Sequence, residues 1–239
     1  MRPLFKSKLI AMLALASSAM TAVAAIPVEW MPSETDEQRL FASALQQSGI
    51  VQDAATLDRV DLDWPERLVI RLVADGTPDY QAETQTIVLP YTYLAAATRA
   101  QDNFEESRGD AFKRGLDMVE YTLYHLLGHA LQGHHDEADD TDVERVATWL
   151  MVSQFPNGGE QWLENTHAFG RASQKLDGPL SDYWHSHGLY KSRERAINCL
   201  VFGSDIEHFS TLYPGLTENP DTARECVRQW RELAAEYAR

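Results

Sequence analysis

The pattern of apolar and polar positions changes period once along this chain. From residue 68 to residue 73 the two alternate around Val69 and Ile70, which is the period of a strand. Asp75-Gly76-Thr77-Pro78-Asp79 then reads as a turn, and residues 86–89 as a second short strand stopped by Pro90. Together they predict one β-hairpin near the N-terminus of the mature chain. Upstream, residues 26–35 read as a linker ending in the helix start Ser33-x-x-Asp36. A helix then runs through Leu40, Phe41, Ala44 and Leu45 to Gly49. From Tyr91 onward the pattern is helical, with breaks at Gly109, Pro156-Asn157-Gly158-Gly159, Gly178-Pro179 and Tyr213-Pro214-Gly215. Few strands followed by many helices predicts an α+β domain, mostly helical, over residues 26–239.

The first residues stand apart from this pattern. Arg2, Lys6 and Lys8 precede a short apolar stretch at 9–15, and Ala22-Val23-Ala24 has the small residues of a cleavage site. Residues 1–25 therefore read as a signal peptide, and the mature protein as exported, periplasmic or secreted. No later segment is long and apolar enough to span a bilayer. With 36 acidic and 21 basic side chains the net charge is −15, and loss of the three leader cations takes it to −18. A chain this acidic is poorly suited to nucleic acid or an anionic membrane surface. A peptide or protein is the partner class left open. In an oxidising compartment the two cysteines, Cys199 and Cys226, read as a disulfide worth about 3 kcal/mol.

One predicted helix carries chemistry. Over residues 113–131, Leu116, Val119, Leu123, Leu126, Leu127 and Ala130 form an apolar stripe. His125 and His129 lie about 40° apart on a different side, and two imidazoles at i and i+4 can reach one cation. Gly128 costs this helix about 1 kcal/mol relative to Ala, which makes sense if another segment approaches closely there. The next helix, 141–155, carries Val143, Val146, Ala147, Leu150 and Met151 on one stripe with Glu144 at its border. There a carboxylate can face a cleft between helices, although a negative charge also suits the start of any helix. Asp140 lies one turn earlier on the same face. His134 and His135 read as solvated loop residues that could ligate instead. His167, His185, His187 and His208 show no ligand spacing with the helix pair, and His185-Ser186-His187 reads as loop. No phosphate loop, nucleophile elbow or basic aromatic stripe competes.

The segment Tyr124-His125-Leu126-Leu127-Gly128-His129-Ala130-Leu131 resembles the His-Glu-x-x-His zinc helix of zincin metallopeptidases. More closely, the chain resembles a bacterial domain family of unknown function described as a putative metallopeptidase. That family typically shows a His-Glu-Leu-Gly-His-Ala helix, a short acidic loop and a helix bearing an acidic residue. The resemblance extends to residues 86–91, to 144–150, to Arg195-Ala196-Ile197-Asn198-Cys199-Leu200-Val201-Phe202-Gly203-Ser204-Asp205, and to Cys226. It implies a zincin-like fold with a central histidine helix and zinc held by His125, His129 and Glu144, with Asp140 or a loop histidine as substitutes for Glu144.

Leu126 departs from the motif. It stands where the zincin glutamate serves as general base, and a leucine can neither accept nor return a proton. Zinc alone still lowers a bound water's pKa towards 7, but general acid–base help worth about 10²–10⁴-fold is missing. The reading that follows is a degenerate zincin-like protein that binds zinc and has weak or no peptidase activity. Two alternatives stand beside it: an active zinc peptidase using another base, and a metal-free exported structural or interaction domain.

Overall fold

Thr35, rather than Ser33, starts the first helix. Its side chain accepts from the Gln38 backbone while the Gln38 side chain accepts from the Thr35 backbone, a reciprocal capping box. Helix α1 (Asp36–Ser48) stops at Gly49, whose φ of 80° suits a residue without Cβ, and α2 (Ile50–Ala55) follows. The computed structural model describes residues 25–57, 62–102, 107–133, 140–173, 180, 183–184, 187 and 191–237. All but Ala25 of the expected signal peptide lies outside them, as do His134, His135, His185, the loop acids at 136–139 and the Gly178-Pro179 break.

The sheet contains four strands, β1 (Val28–Trp30), β2 (Val69–Val73), β3 (Asp79–Gln81) and β4 (Thr86–Pro90), in the order β1-β2-β4-β3. The expected hairpin between residues 68–73 and 86–89 is overturned, because β2 and β4 pair in parallel, Val69 opposite Thr86 and Leu72 opposite Leu89. The hairpin is instead β3 with β4, Asp79 opposite Val88. Burial explains the insertion. Ile87 and Leu89 are fully buried and β4 is covered on both faces, so it takes a central position, while β3 buries Tyr80 alone and sits at the edge. The expected linker also contains β1, which pairs in parallel with β2. At three residues it is too short to show a period.

Helices α3 (Tyr91–Gln101), α4 (Arg108–Gln132), α5 (Asp140–Gln154), α6 (Gly158–Ser173), α7 (Lys191–Ser204), α8 (Ile206–Phe209), α9 (Pro214–Thr217) and α10 (Pro220–Tyr237) complete the described elements. The domain is α+β and mostly helical, as the pattern predicts. Gly109 falls inside the first turn of α4, and the break is two residues earlier, at the Ser107 cap. Helix α4 is the axis of the fold, packed against α3, α5 and α6. From Tyr121 to Ala130 every residue is buried, so the side bearing the histidines is as enclosed as the apolar stripe. Helix α7 packs on α5 and on α10, and the expected Cys199–Cys226 disulfide joins α7 to α10. No described helix is long and apolar enough to cross a membrane.

Candidate metal centre

Gly128 sets the distance between the two helices that build the site. A Cβ there would lie 2.7 Å from the Val143 carbonyl oxygen and 2.9 Å from its Cγ1, so α5 crosses α4 closely only because the side chain is missing. The close approach anticipated from sequence is therefore made by α5. It lays the carboxylates of Asp140 and Glu144, one turn apart, opposite the imidazoles of His129 and His125, also one turn apart. All four residues are at most 1 % exposed.

The ring nitrogens have defined tasks. His125 Nδ1 lies 3.0 Å from Glu144 Oε1, an acceptor when ionised, which assigns the N–H to Nδ1 and the lone pair to Nε2. That Nε2 faces His129 Nε2 at 3.1 Å. The two nitrogens are close enough to share a proton or to ligate one cation. Tetrahedral zinc with bonds of about 2.0–2.1 Å would hold two imidazole nitrogens about 3.3–3.4 Å apart, so the pair already has close to the spacing of two ligands.

A third imidazole completes the group. His187, 4 % exposed, is brought beside the pair, its ring centroid 5.3 Å from that of His125 and 6.2 Å from that of His129. Its Nδ1 is 2.9 Å from the Tyr183 carbonyl oxygen, which can only accept, so Nε2 again carries the lone pair. The Tyr183 ring stacks on the His187 ring with centroids 4.3 Å apart. One ligand nitrogen from each of the three histidines falls within 4.8 Å of the others. They form a group able to hold a metal ion.

The acids around the group are held as firmly. Glu144 Oε1 also accepts from the Tyr121 hydroxyl, while Oε2 is buried without a hydrogen-bond partner among the described residues. Burial pushes the Glu144 carboxyl up to about 7, against the opposing pull of the Tyr121 hydrogen bond and the charges of Arg193 and His187. Tyr121 is raised well above its ordinary value, first by burial and then by Glu144. Asp140 Oδ2 accepts from Arg193 Nη1 of α7 at 2.6 Å. Its Oδ1 lies 3.7 Å from His129 Nε2 and is buried without a hydrogen-bond partner among the described residues.

These observations can be set beside known proteins. The family described as "Putative metallopeptidase" matches residues 30–239. The chain belongs to that family. No curated protein and no solved structure matches it. For a member of a metallopeptidase family, Leu126 is the informative residue. It follows the first histidine and is wholly buried within the apolar core. Of the residues expected at the site, the structure brings together His125, His129, Glu144 and Asp140. Glu144 stands against the Nδ1 side of His125, opposite the nitrogen that faces His129.

His187, read as loop from its sequence, is the residue the spacing did not reveal. Its neighbours in the chain give one usable sign. Tyr183 precedes it by one helical turn, and Tyr183 and Trp184 both pack against Tyr93, which anchors this segment in the core. Arg193 and Tyr121 carry no spacing signal either, since their roles depend on how α5 packs on α4 and α7 on α5.

Proposed function

We propose that this protein is an exported zinc-binding member of its family in which peptidase chemistry has decayed. The reading rests on one observation above the rest: His125 Nε2 and His129 Nε2 converge at 3.1 Å inside the protein, with His187 beside them. His125 and His129 are the helix ligands, and His187 is better placed than Glu144 for the third. The Glu144 oxygen nearest His125 is taken up by its Nδ1 and by Tyr121, the position of a carboxylate that orients a ligating imidazole from behind.

Zinc in such a site supplies Lewis acidity and lowers the pKa of water at the metal towards 7. The rest of hydrolysis needs a group that takes a proton from that water and returns it to the leaving amine. Leu126 cannot do this, and membership of a family described as "Putative metallopeptidase" makes that absence informative. Glu144 is a poor replacement, because its near oxygen is committed to two hydrogen bonds. The His125–His129 pair and the acidic Glu144 beside a missing base favour a protein that holds metal and cleaves peptides slowly or not at all.

Metal analysis of the purified mature protein beside His129→Ala tests the reading. Near-stoichiometric zinc in the wild type, lost in the variant, is the expected result. Wild-type cleavage of an unstructured peptide should not exceed that of His129→Ala by more than about 10²-fold, well below what zinc and a general base achieve together. Absence of metal from both proteins after zinc has been supplied would overturn the proposal.

A further inference from the structure

Asp140 is the residue that the proposed function leaves without a task. Its side chain is fully buried, yet Oδ1 has no hydrogen-bond partner among the described residues. A buried carboxylate oxygen is costly in that state unless a donor or a cation is supplied to it. The carboxylate is nevertheless held in one orientation, because Arg193 Nη1 donates to Oδ2 at 2.6 Å. Oδ1 then lies 3.7 Å from His129 Nε2, the nitrogen that faces His125 Nε2. It does not join the ligand group. The ligand atoms that lie within 4.8 Å of one another come from His125, His129 and His187 alone. Asp140 therefore stands beside the point that the three imidazoles share, and not at it. Glu144 stands elsewhere, behind His125 at Nδ1.

On the reading that the three histidines bind zinc, they leave a four-coordinate ion one position short, as in hydrolytic zinc sites. We propose that Asp140 selects what fills that position. A carboxylate paired with a guanidinium can only accept hydrogen bonds through its remaining oxygen. A ligand whose coordinating atom carries a hydrogen supplies the donor that Oδ1 lacks. An anion whose coordinating atom carries none sets lone pair against lone pair and charge against charge. In a buried site that repulsion is little screened. The preferred ligands are therefore water, alcohols and N–H groups. Aprotic anions, carboxylates among them, are disfavoured.

Cobalt makes the open position visible. The protein loaded with one equivalent of Co(II) is titrated with azide and with trifluoromethanesulfonamide, followed by visible absorption. Both coordinate as monoanions, but only the sulfonamide nitrogen keeps a hydrogen. The wild type should bind the sulfonamide more tightly than azide by about 10-fold or more, the effect of one hydrogen bond to a charged group. Asp140→Asn turns its amide oxygen to Arg193 and presents an N–H where Oδ1 stood, so the preference should be lost or reversed. Asp140→Ala, with neither lone pair nor donor, should lose it too. Glu144→Gln alters the acid behind His125 and should keep the wild-type preference. If neither Asp140 variant folds, the wild-type order alone decides. A wild type that binds azide as tightly as the sulfonamide, or Asp140 variants with the wild-type preference, would overturn selection by Asp140 while leaving zinc binding intact. So would a cobalt spectrum that neither ligand moves. A wild type that takes up neither cobalt nor zinc overturns both readings.

Discussion

Two close helix crossings in this molecule share a device and differ in what they enclose. At α4–α5, Gly128 admits the backbone of Val143, and the crossing is lined by His125, His129, Asp140 and Glu144. At α7–α10, Gly203 admits the backbone of Cys226, and the crossing is closed by the Cys199–Cys226 bridge among apolar neighbours that include Leu200 and Leu233. In both places a missing Cβ brings two backbones together. The difference lies in the sign of what fills the space. A disulfide stabilises by restricting the unfolded chain. A cluster of buried ionisable groups loses several kcal/mol of solvation per charge unless partners offset it. The α7–α10 crossing contributes stability, and the α4–α5 crossing spends some of it to keep chemistry in the core.

The largest expected effect breaks the second of these crossings. Reduction of Cys199–Cys226 should remove about 3 kcal/mol and lower the melting temperature by about 6–12 °C. Zinc content should be unchanged, because no ligand lies on α10. Thermal melts with and without reductant, paired with metal analysis, check both statements. Loss of zinc on reduction would show that the crossings are coupled through α7, whose Arg193 reaches Asp140.

Next comes the polar crossing itself. Tyr121→Phe removes the hydroxyl that donates to Glu144 and leaves a buried carboxylate with less support. A hydrogen bond to a charged group contributes about 1.5–3 kcal/mol, so chemical denaturation of the metal-free protein should show a loss of about 2 kcal/mol. Zinc affinity should fall by about 10-fold as His125 loses its firmly held acceptor. Equal stability in the two proteins would mean that Glu144 is neutral in the metal-free state.

Gly128→Ala acts on spacing alone. Forcing a methyl group against the Val143 carbonyl costs about 1–3 kcal/mol, and the better helix propensity of alanine returns about 1. The net loss should be about 1 kcal/mol in an equilibrium unfolding curve. The diagnostic result is a weaker zinc affinity, because α5 must retreat and carries with it Glu144, the carboxylate behind His125. An unchanged affinity would mean that α5 contributes nothing to holding metal.

These crossings also show what one sequence makes legible. The helix-rich architecture, the His125–His129 pair and the close approach at Gly128 follow from local pattern, since period and spacing are properties of a single segment. Strand pairing is not local. Residues 68–73 and 86–89 look like hairpin partners until β3 is seen to occupy the edge and β4 the centre. His187 is invisible for the same reason: its approach to α4 depends on how the chain returns through Tyr183 and Trp184 onto Tyr93. The role of Glu144 was legible only in part. Its position on α5 places it at the site, but which ring nitrogen it meets depends on the crossing geometry.

The smallest effect asks whether buried charge is confined to the metal-facing side of α4. Glu120 lies on the same helix but faces α6, where Asn165 Nδ2 donates to its Oε2 at 2.8 Å. Burial raises its carboxyl above the ordinary value of 4.5, with the Asn165 hydrogen bond opposing. A carboxyl raised on folding binds more protons folded than unfolded through that window. Its contribution to stability is therefore complete below the unfolded value and is lost as pH rises through the folded one. Glu120→Gln keeps an oxygen for Asn165 and removes the titration. Urea unfolding across this range should show wild-type stability falling relative to the variant from pH 4.5 upward. Parallel curves would mean that α6 leaves Glu120 as well solvated as the unfolded chain does.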